Sequence, residues 1–172
     1  MSHYRTTIKG KVSSVSMSTN GRAIKGKKLI RQFWTRELGH TTRKGLKQVV
    51  AFSQDSFGKI KGKIGVWDKD RKVARVEFFQ RGNTKKTYIV VEGLQTRTFY
   101  QKEGIASQVL SEIISIAKKR PTVTSVVLAV RADNPSAISI YKKIGFEETS
   151  KYSEVQHGEK VDCMAMRLEL SK

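Results

Sequence analysis

The chain has 172 residues, of which 34 are Lys or Arg and 15 are Asp or Glu, giving a formal net charge of +19. This length suits one domain with a sizeable core, and the composition is that of a folded chain. No apolar run approaches the roughly 20 residues of a membrane helix, and the first residues lack a secretory apolar stretch, so we expect a cytoplasmic protein. The lone Cys163 excludes an internal disulfide, and its alternating surroundings favour a small buried side chain over a catalytic thiol.

The positive charge is concentrated in the first half of the chain. Residues 1–86 contain 22 Lys and Arg against 5 Asp and Glu, whereas residues 87–172 contain 12 against 10. A solvated basic face would explain a modest excess. Because an excess of this size repels itself, an acidic partner such as RNA, DNA or a ribonucleoprotein surface is an equally good interpretation.

The first part of the chain is predicted to be mainly strands. Alternating and β-branched stretches predict strands at residues 6–16, 47–53, 59–67, 73–80 and 87–96. Turn residues between the later strands predict an antiparallel meander. Apolar residues at near-helical spacing, with basic residues between them, predict an amphipathic helix over about residues 27–38.

The second part begins with a helix and a strand. After Gly104, apolar residues recur at steps of three to five and predict a helix of three to four turns, which Pro121 stops. The unbroken apolar run of residues 126–130 predicts a central parallel strand buried on both faces.

A second helix and two strands complete the predicted α/β fold. Asn134 can cap a helix that has Pro135 in its first turn and Gly145 at its left-handed end. Strands are predicted to follow at residues 146–155 and 161–170.

The segment that leads into the first helix has the outline of a phosphate site. In Gln101-Lys102-Glu103-Gly104-Ile105-Ala106-Ser107, a loop with small residues runs directly into the helix. Free backbone amides and the positive end of the helix dipole suit a diphosphate, and small residues let it approach the backbone. Glycine before a helix is common, so the loop by itself also fits an ordinary helix start.

Two separately spaced motifs resemble the GNAT acetyltransferase superfamily. Residues 101–106 match its Gln/Arg-x-x-Gly-x-Gly/Ala signature, and VRADNPSAISIYKKIGF at residues 130–146 resembles its fifth strand and following helix. The resemblance implies a mixed, mostly antiparallel sheet flanked by helices, with fourth and fifth strands that splay to form the CoA cleft. It also implies one N-acetyltransferase domain over residues 1–172, comprising a basic N-terminal region at 1–60 and a CoA-binding core at 60–170.

The resemblance implies acetyl-CoA as cosubstrate and no metal. The diphosphate would bind residues 101–107, and backbone groups of Leu94, Gln95 and Thr96 would pair with the pantetheine arm, an amide there polarising the thioester carbonyl. Gln101 stands where the family more often has Arg, a charge that Lys102 is expected to restore. Asn134 would either hydrogen-bond the pantetheine arm or only cap its helix.

Direct attack of an acceptor amine on the thioester is the chemistry implied. Tyr141 is the candidate proton donor to the leaving thiolate, because phenol and thiol pKa values of about 10 and 8.5 permit the transfer. Alternatively, Tyr141 only completes the apolar side of its helix. Glu92, on the strand before the loop, is the candidate base for the amine, or else a solvated or ion-paired strand residue.

The acceptor side is expected to be shaped by N-terminal helices and the last hairpin, so the basic half would border it. We therefore expect an acceptor amine on or beside nucleic acid: an aminoacyl-tRNA, a ribosomal protein or another nucleic-acid-bound protein. A small-amine or peptide N-terminal acetyltransferase is the first alternative. The second is a non-catalytic nucleic-acid-binding adaptor with a vestigial CoA pocket.

Overall fold

A computed structural model describes residues 30–38, 41–55, 57–83 and 85–171 of the chain. Eight strands and two α-helices lie within these residues. Their bounds are β1 Ile30–Glu37, β2 Leu46–Gln54, β3 Ile60–Asp68, β4 Arg71–Gly82, β5 Thr87–Thr96, α1 Ile105–Lys118, β6 Val123–Arg131, α2 Pro135–Ile144, β7 Glu147–Gln156 and β8 Glu159–Glu169. The strand predicted at residues 6–16 lies outside the described residues.

The eight strands form one sheet in the order β1-β2-β3-β4-β5-β6-β8-β7. Strands β1 to β5 are an antiparallel meander, of which the turn residues predicted the part from β2 to β5. Only β5 and β6 pair in parallel, and α1 forms the crossover between them. Strand β8 lies between β6 and β7 and is antiparallel to both. The result is the mixed, mostly antiparallel sheet that the sequence predicted.

One face of this sheet carries the hydrophobic core. Strand β2 shows the alternation: Leu46, Val50 and Phe52 are buried on this face, whereas Lys47 and Ala51 point to the other face and are exposed. Helix α1 packs against the core with a buried apolar side made of Ile105, Val109, Leu110, Ile113, Ile116 and Ala117. Burial of each large apolar side chain contributes about 1.5–3 kcal/mol, which fixes α1 on this face.

The helix predicted over residues 27–38 is wrong where the structure describes it. Residues 30–37 form β1 and pair with β2 along eight consecutive positions. Phe33, Trp34 and Thr35 are residue types that favour strands over helices, and the ladder to β2 adds long-range pairing that local periodicity does not reveal. Consequently no α-helix precedes α1 in the described residues, and an N-terminal helix does not shape the acceptor side there.

The two helices after β5 are confirmed. Helix α1 ends at Lys118, three residues before Pro121. Helix α2 begins at Pro135, where the Ala137 amide donates to the Asn134 side chain at 3.1 Å, and ends at Gly145 with a φ of 105°. Neither helix has the length and apolar character needed to cross a membrane, within the part of the chain that is described.

The prediction that β6 is buried on both faces is wrong at its C-terminal end. Val126 and Val130 are buried, but Ala129 and Arg131 are exposed on the opposite face. That face is open because β5 has already separated from β6 at this level. Strand β6 is also parallel only to β5, since its other neighbour β8 is antiparallel.

Cys163 is buried in β8, as predicted. Its Sγ atom lies 3.5 Å from a carboxylate oxygen of Glu154 on β7. Burial, and then this carboxylate, raise the pKa of the thiol. The thiol therefore stays protonated, which argues against a nucleophilic role.

Candidate active site

Strands β5 and β6 separate at their C-terminal ends. Their pairing stops at Val91 and Leu128, although β5 continues to Thr96 and β6 to Arg131. A bulge marks the start of the separation: Gly93 and Leu94 of β5 together face one residue of β4, and Gly93 has a φ of 62°. Because a bulge bends the strand and increases its twist, it turns the end of β5 away from β6.

The resulting gap exposes backbone of the residues predicted to bind pantetheine. Gln95 and Thr96 pair with β4 on one side, and they have no pairing to β6 on the other. In a strand, alternate backbone groups point to opposite neighbours, so part of the 92–96 backbone faces the gap. The Arg75 guanidinium holds the Gln95 side chain, with Nε donating to Oε1 at 3.0 Å. An extended ligand arm could pair here as an added strand.

The loop before α1 is concave and rich in unbonded amides. Lys102 and Gly104 have left-handed backbone, with φ values of 64° and 77°. Among the described residues, none of the amides of residues 102–107 donates to a backbone carbonyl. The Ile105 side chain is buried in the core and anchors the helix start beneath these amides. Such a run of amides at a helix N-terminus suits an anion, so the residues present fit the diphosphate of CoA.

The first residue of the loop is directed back toward β5. The Gln101 side chain donates from Nε2 to the Thr96 carbonyl at 3.2 Å. Gln101, which carries no charge, therefore joins the loop to the end of β5. Lys102 is exposed on this loop, and Arg97 is exposed just before it.

A network of side chains behind the loop contacts the Glu103 carboxylate. The Thr42 hydroxyl donates to Glu103, and the Arg43 guanidinium lies 3.6 Å from it. Arg43 also lies 3.7 Å from Asp68, which accepts a hydrogen bond of 2.9 Å from the Tyr100 hydroxyl. The guanidinium carbon is 4.5 Å from the centre of the Tyr100 ring. The network thus ties the β1–β2 and β3–β4 connections to the loop and compensates a carboxylate that would repel phosphate.

The start of α2 lies at the same end of the sheet as the loop, because it follows β6, which is parallel to β5. The Asn134 oxygen caps α2, which leaves its amide nitrogen as the group that could reach a ligand. The Tyr141 side chain is 8% exposed and packs against Phe146, with ring centres 6.1 Å apart. No described residue hydrogen-bonds to the Tyr141 hydroxyl, and burial raises its pKa. The phenol therefore keeps its proton at neutral pH, as a proton donor must.

Glu92 lies on the uncovered face of the sheet, at the point where β5 leaves β6. It is exposed and lies directly across from Glu77 of β4. A shallow cavity of about 560 Å³ extends from Glu92 across β4 and β3, and its charged lining comprises three cations, Lys59, Lys61 and Arg81, and two carboxylates, Asp55 and Glu92. The candidate base therefore lies at the edge of a basic groove.

The amino-acid sequence of this chain matches a known protein family. The model of the Acetyltransferase (GNAT) family matches residues 29–146, which is more than half of the chain. The chain belongs to the GNAT acetyltransferase family. Its curated relatives include N-alpha-acetyltransferase 50 of Danio rerio, 37% identical over 71 residues, and the L-amino acid N-acetyltransferase AaaT of Escherichia coli, 31% identical over 84 residues. These matches cover 40% and 48% of this chain, and 41% and 52% of the two relatives.

Solved GNAT structures share the fold. Arabidopsis thaliana NAA60 in complex with acetyl-CoA superposes with a TM-score of 0.58 at 19% identity, covering 64% of this chain and 76% of that one. The ribosomal-protein-S18-alanine N-acetyltransferase of Escherichia coli gives a TM-score of 0.52 at 20% identity, covering 64% and 69%. Likeness at these identities supports the GNAT fold alone.

The loop, the end of β5 and Asn134 lie at one end of the sheet, because they form or follow the C-terminal ends of the parallel strands β5 and β6. The assignment of these residues and of Tyr141 to a donor site stays a prediction, whereas the Arg43 network and the groove cations were not predicted from the sequence. Thr42 and Glu103 are 61 residues apart, so no local motif could reveal their contact. Within the described residues, no group of three His, Cys, Asp or Glu side chains could hold a metal ion.

Proposed function

We propose that this GNAT protein is a cytoplasmic N-acetyltransferase, one domain over residues 1–172, that moves the acetyl group of acetyl-CoA to an amine by direct attack. One observation carries the proposal: β5 and β6 separate beside a helix start whose backbone amides donate to no backbone carbonyl of the described residues. This combination offers a diphosphate site and a thioester site within one cleft.

The donor would be held mainly by backbone. Amides of residues 102–107 bind the diphosphate, while Leu94, Gln95 and Thr96 pair with the pantetheine arm. The amide of a residue in the gap donates to the thioester carbonyl and stabilises the charge that develops on its oxygen during attack. Acetyl-CoA supplies the activated acyl group, and the Asn134 amide nitrogen gives a further hydrogen bond to the arm.

Two side chains would move protons. The amine must be neutral to attack, and Glu92 accepts its proton, directly or through water. As the carbon–sulfur bond breaks, the thiolate of CoA leaves and takes a proton from the Tyr141 hydroxyl, and the second proton that the attacking nitrogen loses as it becomes an amide returns to the phenolate through water. Burial of Tyr141 keeps that proton available at neutral pH, because the raised pKa disfavours the phenolate.

The acceptor that the surface favours is an amine on or beside nucleic acid. The candidate base lies in a groove lined by Lys59, Lys61 and Arg81, and the chain carries a net charge of +19. A polyanion would concentrate at this surface and bring an attached amine to Glu92. An aminoacyl-tRNA, a ribosomal protein or another nucleic-acid-bound protein would meet this description.

A peptide N-terminus is the second candidate acceptor. The specific observation that favours it is the 37% identity to N-alpha-acetyltransferase 50 of Danio rerio over 71 residues. Such an acceptor would need no polyanion, and the basic surface would then serve solubility. The two candidates differ in their response to added RNA.

A thiol-release assay with acetyl-CoA tests donor and acceptor together. The purified protein is offered small amines, peptides, aminoacyl-tRNA and ribosomes, and we expect release with the nucleic-acid-bound amines to exceed release with free peptides. Thermal shift with CoA separates an enzyme from a non-catalytic adaptor, since CoA at 100 times its Kd should stabilise the fold by about 2.7 kcal/mol. Absence of both thiol release and CoA stabilisation would overturn the proposed activity.

A further inference from the structure

One face of the sheet is not covered by any described element. Both helices pack on the core face, and the opposite face of β2 to β5 remains open to solvent. We define the open sheet face by residues of β2–β5 that point away from the core. They are Lys47, Val49, Ala51, Ser53, Lys61, Lys63, Gly65, Trp67, Lys72, Arg75, Glu77, Phe79, Arg81, Tyr88, Val90 and Glu92.

The open sheet face is strongly basic. It carries six Lys and Arg side chains against two carboxylates, Glu77 and Glu92. Glu77 is compensated, because its carboxylate lies 2.7 Å from the Lys63 ammonium and its pKa is lowered, chiefly by that hydrogen bond. Adjacent strands are about 4.8 Å apart, so these cations spread over roughly 15 Å. Their spacing suits successive phosphates of one polynucleotide strand better than a single anion.

Aromatic rings are interleaved with the cations. The Lys72 ammonium lies 4.9 Å from the centre of the Trp67 ring, and the Arg81 guanidinium lies 4.8 Å from that of Phe79. Tyr88, 37% exposed, lies directly across from Arg81. Unpaired bases stack on such rings and on guanidinium planes, at about 1–3 kcal/mol for each base. A duplex keeps its bases stacked on one another, so this arrangement favours a single strand.

The open sheet face leads to the candidate base. Lys61 and Arg81 belong both to the face and to the groove that contains Glu92. Arg81 and Glu92 are separated along the sheet by about four residues of strand, or roughly 13 Å. A polynucleotide bound across β3 and β4 would therefore bring one of its ends, or a group attached there, to Glu92.

Charge argues against other occupants of this face. The same face of a second copy carries the same excess of positive charge and would be repelled. An acidic protein would satisfy the cations but would not use the aromatic rings. RNA satisfies both, and its 3′ ends can carry aliphatic amines as aminoacyl esters, whereas the amino groups of bases are delocalised and poor nucleophiles.

We propose that the open sheet face binds single-stranded RNA and presents an attached amine to Glu92. The proposal rests on the proposed function for the transfer itself, but the binding surface stands on its own residues. It assigns Lys61 and Arg81 to phosphate contacts and Trp67 and Tyr88 to base stacking.

Fluorescence anisotropy with a labelled single-stranded RNA of about 12 nucleotides tests the surface. The variant Lys61→Gln/Arg81→Gln should bind about tenfold more weakly, and the slope of log K against log salt should fall by about 1.4. The matched control is Lys118→Gln/Lys119→Gln, which removes two exposed cations at the end of α1, on the other side of the sheet. The control should change neither quantity.

Stacking is tested separately from charge. RNA binding should quench the fluorescence of Trp67, and Trp67→Leu should weaken binding several-fold without changing the salt slope. Polyaspartate of equal charge should bind more weakly than the RNA, and so should duplex RNA. Tighter binding of polyaspartate, of duplex RNA or of single-stranded DNA of the same sequence would overturn the assignment. The assignment would also be overturned if the two double variants weakened RNA binding equally. The same holds if the protein formed a dimer without RNA and Lys61→Gln/Arg81→Gln dissociated that dimer, because the face would then bind a second copy.

Failure here is distinguishable from failure of the proposed function. Thiol release from acetyl-CoA and thermal stabilisation by CoA are measured on the same preparations with a peptide amine. Retained release without RNA binding would overturn the RNA surface alone. RNA binding that depends on Lys61 and Arg81, without any release, would support the surface and contradict the enzyme.

Discussion

The proposed donor side and the proposed acceptor side of this molecule are built in different ways. The proposed donor side, residues 91–107 with the start of α2, offers mainly backbone groups, arranged by a bulge, a left-handed loop and two helix starts. The proposed acceptor side is the open sheet face, where side chains from four separate strands come together. Residues assigned to the donor side are close in sequence, whereas those assigned to the acceptor side are brought together by strand pairing.

This difference affects how each side tolerates substitution. A backbone site depends on conformation, so few side chains matter and those few are the small ones. A side-chain surface distributes its binding energy, so single changes have modest effects and charge reversal of several positions has large ones. Single substitutions of small residues on the proposed donor side should therefore have larger effects on activity than single substitutions on the proposed acceptor side.

Gly104→Val should cause the largest loss. Gly104 has a φ of 77°, which a β-branched residue adopts only with strain, and the added side chain would cover the amides beside it. We expect CoA affinity to fall by about 100-fold or more, so that the stabilisation of about 2.7 kcal/mol by CoA largely disappears. The measurement is thermal shift against CoA concentration.

Gly158→Val is the control for backbone strain. Gly158 has a φ of 86° in the β7–β8 turn, and a Cβ there meets no atom within 4 Å. Both variants should lose comparable intrinsic stability, but only Gly104→Val should lose the response to CoA. Normal CoA stabilisation of Gly104→Val would contradict a diphosphate site at this loop.

Tyr141→Phe should lower kcat while leaving CoA binding intact. Removal of a general acid typically costs between 100- and 10,000-fold in rate, and we expect the lower end because water can also protonate a thiolate. The fold should be little changed, since no described residue hydrogen-bonds to this hydroxyl. Wild-type activity should persist beyond the pH at which an ordinary phenol ionises, because burial raises the Tyr141 pKa and the phenol must be protonated to act. Tyr152→Phe, on β7, is the control, and equal kcat values for wild type and Tyr141→Phe would assign Tyr141 to packing.

The sequence predicted the helices around the proposed donor site well because their signals are local. Gly104, Pro135 and Gly145 each fix a turn or a helix end by their own backbone preference, and the structure confirms those helix ends. The helix predicted over residues 27–38 is wrong in its described part, because apolar spacing is ambiguous over one short segment and only the pairing with β2 decides the outcome. The groove at Glu92 could not be predicted, because its lining comes from β3, β4 and β5, which are brought together only by strand register.

Glu92→Gln tests where the two sides meet. If Glu92 accepts the amine proton, Glu92→Gln should lower kcat/KM about tenfold or more near neutral pH. The decrease of kcat/KM as the pH is lowered should also become less steep. Glu77→Gln is a matched control, since Glu77 is the cross-strand neighbour on the same face. An unchanged pH profile in Glu92→Gln would remove the base assignment and leave Glu92 as a surface residue of the groove.

Arg43→Ala should have the smallest effect, and it tests whether side chains matter on the donor side at all. The Arg43 side chain is 32% exposed, and exposed ion pairs and cation–π contacts contribute about 0.2–1 kcal/mol each. We therefore expect the unfolding free energy to fall by about 1 kcal/mol. The KM for acetyl-CoA should rise three- to tenfold, since Glu103 loses its cation and the loop loses a tie to Asp68.

The pattern of that change distinguishes positioning from simple stability. Arg167→Ala removes an ion pair of 3.4 Å to Glu169 on β8, and it should leave the KM for acetyl-CoA unchanged. If Arg43 acts through the loop, the variant should raise KM with little change in kcat, because the acetyl group is still presented to the amine by the β5 backbone. If Arg43→Ala lowered kcat and left the KM for acetyl-CoA unchanged, Arg43 would not act through the donor loop. Side-chain contacts would then contribute to the donor site only through the fold.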